Sequence, residues 1–252
     1  MPTDDDSGLA IVLPILNERS NLPALFKRLD AVSTQIRVCE VICVDDGSCD
    51  GTLEFLSEEA GRNHKFAIQI VARNRKLGQV SACIEGARIA SSRFVAFMDA
   101  DLQHPPEALI SMYAQTELGY ELVVGSRYLD QATVRRLPSR GVISRGAMGI
   151  SHLLLRQSRQ LTDPMSGFFI VDRRYVKGLA PLSNRCKLLL YVLATHEMLR
   201  MIEVPFSFEE RGRGESKTVN FGPGFIFYYL IEVLTYFKMS PADPRFERED
   251  QG

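Results

Sequence analysis

The sequence lacks both of the glycine-rich loops that commonly hold phosphate groups in α/β proteins. No GxGxxG follows the first predicted strand, and no GxxxxGK(S/T) occurs anywhere in the 252 residues. Those loops bind dinucleotides and nucleoside triphosphates through backbone N–H groups at the start of a helix. A nicotinamide-dependent dehydrogenase and a P-loop nucleotidase are therefore disfavoured, and a bound diphosphate would have to be neutralised by other groups.

The chain also lacks an excess of charge of either sign. It carries 30 Lys and Arg against 31 Asp and Glu, for a formal net charge of −1. Proteins whose affinity depends on wrapping nucleic acid normally carry a clear basic excess. The balance therefore argues against a nucleic-acid partner. A hydrophobic fraction of 45% and a charged fraction of 24% are typical of a globular chain, which excludes wholesale disorder.

Tryptophan is absent, cysteine is scarce and long apolar runs are missing. The five cysteines are an odd number without zinc-site spacing, and the first residues, MPTDDDSG, do not resemble a signal peptide. We therefore expect reduced thiols in a cytoplasmic protein. The longest apolar candidate, residues 225–239, has only 15 residues and contains Glu232, so no membrane-spanning helix is predicted.

Short apolar runs alternate with stretches of helical periodicity in the first half of the chain. Strands separated by helices of 10–15 residues indicate βαβ units and a parallel, doubly wound sheet. The predicted strands span residues 9–14, 41–44, 67–71, 94–98 and 122–125, and the predicted helices span residues 21–33, 51–60, 78–90 and 105–118.

Polar clusters follow four of the five predicted strands. Asn17-Glu18 follows the first, residues 45–48 (DDGS) the second, residues 99–101 (DAD) the fourth and Ser126-Arg127 the fifth. Ligands of such sheets bind beyond the carboxyl ends of the strands. The pattern therefore predicts one binding site at that edge.

Two carboxylates, Asp99 and Asp101, follow the apolar segment FVAFM. On an extended segment, residues i and i+2 point to the same side, so both can face one ligand, and Gln103 continues the series. Mg²⁺ and Mn²⁺ prefer oxygen ligands and are usually shared with substrate phosphates. A helix cap is the other interpretation of Asp-x-Asp, but Pro105-Pro106 already sets the start of the next helix. His104 is assigned to packing rather than to metal binding.

Six ordered segments resemble glycosyltransferase family 2, and within it the branch of dolichol-phosphate mannose synthases and polyprenyl-phosphate glycosyltransferases. The segments are VLPILNERSNLP, VICVDDGSCDGT, MDADLQHPPE, VGSRY, DPMSGFF and ERGRGESK. The resemblance covers residues 9–220 and implies a GT-A fold, which is a doubly wound, mostly parallel sheet with a Rossmann-like nucleotide-binding half. It also implies a nucleotide-sugar donor and a divalent metal ion, Mg²⁺ or Mn²⁺. It places the catalytic domain in residues 1–220 and leaves residues 221–252 as a C-terminal aromatic helix with a polar tail.

The resemblance also assigns residues to the donor site. It implies that Asp101 and Gln103 hold the metal ion against the diphosphate, with Asp99 beside them, and that Asp101, Arg211 and Lys217 are the catalytic residues. At Leu16 the family often has tyrosine. The donor nucleotide site implied by the family comprises Pro14, Leu16, Glu18, Val44, Asp45, Asp46, Asp99, Ala100, Asp101, Gln103, Arg211 and Lys217.

A basic segment is hidden within the neutral total. Residues 127–160 contain seven Arg and one acid, a local excess of +6. A solvated helix face accounts for some of these charges, but Arg127 ends a strand beside the predicted metal site, where its planar fork suits phosphate oxygens. By resemblance to the family, Arg127, Arg140 and Ser144 bind the acceptor phosphate, and Arg211 and Lys217 lie on a loop that closes over the donor.

These features together predict an inverting hexosyltransferase. A lipid phosphate, with a second pKa of about 6, is largely dianionic at neutral pH and needs no general base. The expected donor is GDP-mannose or UDP-glucose, with mannose favoured over glucose. The expected acceptor is a polyprenyl or dolichyl phosphate, and a separate membrane subunit or a homo-oligomer is an additional possible partner.

An acceptor hydroxyl on a glycan or lipid is one alternative, and it would require a base. Glu197 lies about as far beyond the Asp-x-Asp motif as the base of other family members, but it follows the helical-looking stretch CKLLLYVLATH, which favours a surface salt bridge or a structural role. Asp163 is a second candidate, although the resemblance makes it part of the acceptor-side wall. A catalytically inactive sugar-nucleotide-binding scaffold is the other alternative, although the intact metal and diphosphate residues argue against it.

The C-terminal segment is unusually aromatic. Residues 221–237 hold seven of the 22 Phe and Tyr residues of the chain, and Lys238 follows. Aromatic side chains of this density suit a membrane–water interface, although a buried helix or a subunit contact would show the same composition. We therefore expect a cytoplasmic protein that associates peripherally with the cytoplasmic face of a membrane.

Overall fold

The computed structural model describes residues 8–129, 149, 151–153, 155–180, 187–196 and 198–207. Its centre is a seven-stranded sheet with the strand order β3-β2-β1-β4-β6-β5-β7. The strands are β1 (Leu9–Ile15), β2 (Val38–Asp45), β3 (Ala67–Ala72), β4 (Phe94–Phe97), β5 (Leu122–Ser126), β6 (Phe169–Asp172) and β7 (Met201–Pro205).

The sheet is mostly parallel, as predicted. Strands β1 to β4 pair in parallel, whereas β6 runs antiparallel to both of its neighbours, β4 and β5. Two successive antiparallel pairings restore the direction, so β5 runs the same way as β1 to β4. The carboxyl end of β5 therefore lies at the same edge as theirs.

In the described part of the chain, five α-helices with defined ends connect or flank these strands. The four helices predicted in the first half are confirmed, and so is the helical interpretation of the apolar segment after residue 186. In α1 the buried residues Leu22, Leu25, Phe26 and Leu29 recur at helical spacing. The helices are α1 (Leu22–Val32), α2 (Thr52–Ala60), α3 (Gln79–Ile89), α4 (Ala108–Glu117) and α5 (Leu188–Thr195), with 3₁₀ turns at Gln157–Gln160 and Arg173–Tyr175.

The core consists of one apolar layer on each face of the sheet. Alternate residues of β1 enter opposite layers because successive strand residues point to opposite faces. Leu9, Ile11 and Leu13 pack in the layer that contains α1, whereas Ala10 and Val12 pack in the layer that contains α3. The central strands are thus covered on both faces, which accounts for their continuous apolar runs.

Several predicted features lie outside the described residues. Among the donor and acceptor residues these are Arg140, Ser144, Arg211 and Lys217, and the candidate base Glu197 is another. The predicted C-terminal aromatic helix and polar tail, residues 221–252, also lie outside them. Within the described ranges, no helix is both long and apolar enough to cross a membrane.

Candidate functional site

The polar clusters predicted from the sequence meet at one edge of the sheet. In the ladder between β1 and β2, Ile15 pairs with Asp45, and the Asp46 N–H donates to the Ile15 carbonyl at 2.8 Å. The segments that follow β4 and β5 reach the same edge because those strands run in the same direction. The predicted convergence of four strand ends is therefore confirmed.

Two of the loops at this edge are joined by hydrogen bonds. The Asn17 N–H donates to the Ser48 hydroxyl at 2.7 Å, and the Asn17 side-chain oxygen accepts from the Cys49 N–H at 2.8 Å. Asn17 adopts a positive φ of 51°, which asparagine tolerates better than most residues. Asp45, fully buried, accepts from the Gly47 and Ser48 N–H groups. The loops after β1 and β2 are thus joined into one wall at this edge of the sheet.

Several predicted donor residues lie at this edge of the sheet. Val44 and Ala100 are buried in the core, and Pro14 pairs with Val44 in the ladder. Glu18 is buried and accepts a hydrogen bond from the Asn21 side chain at 2.7 Å. These positions shape the wall, while their side chains take part in packing or local hydrogen bonds.

Asp46 holds the loop before α3. Its two carboxylate oxygens accept from the Leu77 and Gly78 N–H groups at 2.7 and 2.8 Å, and from Arg73 at 3.1 Å. The carboxylate lies at the start of α3, where backbone N–H groups have no helical partner. Asp46 therefore brings a third loop, which follows β3, to the same edge.

The Asp99–Gln103 segment forms a tight loop after β4. The Asp101 carboxylate is buried and accepts from the Gln103 N–H at 3.1 Å, and Leu102 between them adopts a φ of +67°. Asp99 accepts from the side chain of Gln79, at the start of α3, at 2.5 Å. Two carboxylates and an amide oxygen thus occupy one short loop at the predicted site.

These oxygen donors suit a hard divalent cation. Mg²⁺ is commonly held by one or two carboxylates together with substrate phosphates. Within the ranges that the structure describes, no group of three or more His, Cys, Asp or Glu side chains has the arrangement of a metal site. Asp99, Asp101 and Gln103 supply oxygen donors of the kind that such a cation takes.

His104 is a buried ring beside this loop. It stacks on Phe168 with ring centroids 5.0 Å apart and meets the edge of Phe206 at 5.8 Å. Burial lowers the pKa of His104 to about 3, while the negative charge of Asp101 partly opposes that shift. The imidazole is therefore neutral near pH 7, and the expectation that it serves packing is confirmed.

Arg127 lies at the end of β5 and forms a bidentate ion pair. Its Nε and Nη2 groups donate to the two oxygens of Asp163 at 2.7 and 2.8 Å, and the Asp163 side chain is fully buried. Burial lowers the pKa of Arg127, but the hydrogen bonds and charge of Asp163 outweigh it and leave the pKa raised. The side chain of Arg127 is 23% exposed, and a guanidinium group carries five N–H donors.

Glu203 of β7 binds the backbone at the Asp163 end of this ion pair. Its carboxylate accepts from the Thr162 and Asp163 N–H groups, both at 2.8 Å. Glu203 therefore holds the backbone of Asp163, which in turn holds Arg127.

Some residues of the site escaped the sequence reasoning. Arg73 lies in the loop before α3, Gln79 is the first residue of α3, and Glu203 lies in a strand that was not predicted. Lys187, directly before α5, acts electrostatically on His104 and on the buried Cys83. The sequence signal for Lys187 was a charge directly before the predominantly apolar LLLYVLAT.

The chain matches a family model described as Glycosyl transferase family 2 over residues 10–179. It is 35% identical to the dolichol-phosphate mannosyltransferase of Pyrococcus furiosus over 91% of this chain, and it spans 64% of that relative's length. It is 33% identical to the protein of the same name from Mycosarcoma maydis, over 94% of this chain and 81% of the relative. It is also 28% identical to the undecaprenyl-phosphate 4-deoxy-4-formamido-L-arabinose transferase of Klebsiella pneumoniae, over 90% and 67%.

The fold is similar to that of solved structures of glucosyl-3-phosphoglycerate synthase from Mycobacterium tuberculosis. The complex with Mn²⁺, UDP-glucose and phosphoglyceric acid superposes with a TM-score of 0.67 at 16% identity, covering 92% of this chain and 80% of the other. The complex with Mg²⁺ and UDP gives a TM-score of 0.61 at 19% identity, covering 92% and 79%. At these identities the likeness concerns the fold, and it confirms the predicted GT-A architecture.

Proposed function

Because this chain belongs to glycosyltransferase family 2, we propose that it transfers one hexose from a nucleoside-diphosphate sugar to a polyprenyl or dolichyl phosphate. The observation that carries the proposal is the convergence of the Asp99–Gln103 loop and Arg127 on one edge of the sheet. Carboxylates for a cation and an arginine for an anion are the two charge requirements of this reaction. The names of the relatives favour mannose, and we propose GDP-mannose first and UDP-glucose second as the donor.

The donor side of the site is proposed to bind a divalent cation. Asp101 and Gln103 would hold Mg²⁺ or Mn²⁺, with Asp99 beside them, and the nucleoside would lie along the wall formed by the loops after β1 and β2. When bound, the cation would neutralise charge on the departing diphosphate. Arg211 and Lys217 are proposed to supply further positive charge to the same group.

The acceptor side is proposed to bind the lipid phosphate through Arg127, with Arg140 and Ser144. A phosphate monoester is largely dianionic near pH 7 because its second pKa is about 6, so it is itself the nucleophile. The enzyme then contributes orientation and charge stabilisation rather than proton removal. A single displacement inverts the anomeric configuration, and a product that retains the donor's configuration would contradict it.

Transfer to a hydroxyl group is less well supported. That reaction needs a general base, and Asp163, one of the two candidates, is fully buried with both oxygens bonded to Arg127. Glu197 stays a prediction. An inactive scaffold would have no use for the loop of Asp99, Asp101 and Gln103, whose donors match a cation shared with a diphosphate.

We also propose that the protein works at the cytoplasmic face of a membrane. A polyprenyl or dolichyl acceptor is confined to a bilayer, so the site must approach the lipid surface. The aromatic segment of residues 221–237 is proposed to make that contact, alone or with a membrane subunit.

The decisive experiment compares Asp101→Asn with Glu58→Gln, an exposed carboxylate on α2. Purified protein is given GDP-mannose or UDP-glucose, Mn²⁺ and a polyprenyl phosphate, and the glycolipid is measured. We expect EDTA to abolish transfer. We expect Asp101→Asn to lower the rate of transfer by about 100-fold or more, because the loss of one preorganised charge contact to the leaving group commonly lowers the rate by that factor. Glu58→Gln should act like the wild type. Transfer that survives both EDTA and Asp101→Asn would overturn the proposal.

A further inference from the structure

We infer that His104 is a positioning residue for the cation-binding carboxylates, acting through the backbone of Asp99. The inference rests on the proposed function, since it concerns the cation site of that reaction. His104 touches neither donor nor acceptor in this scheme. Its effect is to fix the direction in which the Asp99–Gln103 loop leaves the sheet.

The first observation is where the ladder of β4 ends. Phe97 is the last residue of β4 to pair with β1, and the Met98 N–H reaches the Val12 carbonyl at a long 3.4 Å. The next donor, the Asp99 N–H, is bonded to His104 Nδ1 at 3.0 Å. The side chain of His104 thus takes over from the sheet at the residue where the loop begins.

The second observation is the shape of the loop that this bond closes. It runs from Asp99 to His104 and reverses through Leu102, whose positive φ is unfavourable for a residue with a branched side chain. An unfavourable backbone conformation persists only where surrounding contacts over-determine it. The bond from Asp99 to His104 joins the two ends of the loop and is such a contact.

The third observation is that the His104 ring itself is held. Phe168 stacks on one face, and Phe206 meets it edge-on, while the two phenyl rings contact each other at 5.2 Å. Gly167 lies beside the ring, since a Cβ there would be in van der Waals contact, 3.6 Å from His104 Cε1 and 3.9 Å from Asp99 Oδ2. A ring packed in this way presents Nδ1 in one direction.

The fourth observation concerns the tautomer of the ring. An imidazole that accepts a hydrogen bond at Nδ1 carries its proton on Nε2. The bond from the Asp99 N–H therefore fixes this tautomer of His104.

The test separates the hydrogen bond from the packing of the ring. His104→Asn keeps an acceptor at the position of Nδ1 but loses the ring, whereas His104→Phe keeps a ring but loses the acceptor. His64→Phe is the matched control, because His64 is also buried, stacks on Phe66 at 5.0 Å and bonds to Asp30.

Mn²⁺ affinity is measured by electron paramagnetic resonance in the presence of GDP and, separately, UDP. Thermal unfolding of the metal-free protein is measured in parallel. We expect His104→Phe to weaken Mn²⁺ binding by about 10-fold or more, as is common when the group behind a metal ligand is lost. His104→Asn should stay within about threefold of the wild type although its stability falls further, since Asn oxygen still accepts the N–H bond. His64→Phe should leave Mn²⁺ affinity unchanged.

Two outcomes would overturn the inference. One is a folded His104→Phe variant with wild-type Mn²⁺ affinity, and the other is a loss of affinity that follows thermal stability across both variants. If His104→Phe does not fold, His104→Gln replaces it, because its amide oxygen lies one bond further from the backbone than Nδ1. If the wild type binds Mn²⁺ with neither nucleotide, the proposed function itself fails, and the inference fails with it.

Discussion

At the scale of single residues, Arg127 is the best-defined cation of the site. Its partner, Asp163, is 36 positions away in the sequence and fully buried, and it bonds to two nitrogens of the guanidinium group. A buried charge is retained only when it is paired and hydrogen-bonded, so Asp163 and Arg127 depend on each other. The pairing fixes the guanidinium of Arg127 at the carboxyl end of β5.

We expect Arg127→Lys to weaken acceptor binding selectively. A lysine ammonium is a point charge that cannot bond Asp163 and a phosphate with the same planar geometry. The KM for polyprenyl phosphate should rise by about 10-fold or more, with the KM for the donor little changed. Arg159→Lys is the control, because Arg159 lies in the same basic segment but is exposed and donates to the carbonyls of His152 and Leu153. Equal effects of the two variants would contradict the assignment of Arg127.

His104 gives a prediction about stability and pH. Its pKa is about 3 in the folded protein and 6.5 when unperturbed, so the unfolded chain binds the proton first as the pH falls. Its contribution to stability is complete above pH 6.5 and is lost progressively between pH 6.5 and pH 3. The free energy of unfolding in urea, without metal, should therefore lose about 1–2 kcal/mol from this residue between pH 7.5 and pH 5.

The comparison with His104→Asn isolates that contribution. Asparagine does not titrate, so the stability difference between wild type and variant should shrink as the pH falls. A difference that stays constant from pH 7.5 to pH 5 would show that the His104 ring is protonated equally in both states.

At the scale of elements, the packing of α3 against β1 depends on Gly86. A Cβ at this position would lie 2.5 Å from Val12 Cγ1 and 3.1 Å from Cγ2. The glycine therefore lets the helix approach the central strand closely. That approach also sets the position of Gln79, at the other end of α3, beside Asp99.

We expect Gly86→Ala to destabilise the protein by about 1–3 kcal/mol, the usual cost of overpacking a tight core. The better helix propensity of alanine offsets part of that cost. Gly178→Ala is the control, because a Cβ there meets no atom of the described residues within 4 Å, and its effect should stay within about 0.5 kcal/mol. Urea denaturation measures both, and equal midpoints would show that α3 can shift without cost.

The elements of the first half could be predicted because their signals are local. Apolar runs and helical periodicity located five strands and four helices to within a few residues. Strands β6 and β7 were not predicted, because Phe169–Asp172 and Met201–Pro205 are short and β6 joins the sheet antiparallel to both of its neighbours rather than through a βαβ unit. The place of β6, between β4 and β5, is a long-range pairing that no local pattern records.

At the scale of the whole molecule, the net charge of −1 conceals a division of charge. Carboxylates gather at the ends of β2 and β4, and arginines gather from residue 127 to residue 160. The proposed site for a cation, a donor diphosphate and a lipid phosphate needs negative and positive side chains close together. The neutral total therefore describes the balance of the molecule and not the character of its site.

The proposed membrane attachment is also a property of the whole chain. We expect the full chain to float with vesicles of phosphatidylcholine and phosphatidylglycerol, and the chain without residues 221–252 to remain at the bottom of the gradient. Interfacial aromatic side chains supply the affinity. Circular dichroism of both forms is the control for folding. Equal flotation of the two would contradict a role for the aromatic segment.

The sequence by itself determined the class of fold, the Asp99-x-Asp101 pair and the edge at which the site would form, because each of these follows from neighbours in the chain. Only the tertiary structure decided which groups hold the site in shape. From the sequence, Asp163 could be either a base or part of the acceptor-side wall, and the structure shows both of its oxygens bonded to Arg127. His104 could be assigned to packing, but the hydrogen bond that it accepts from the Asp99 N–H could not be predicted. Such roles depend on contacts between distant segments and on burial, which a linear pattern does not contain.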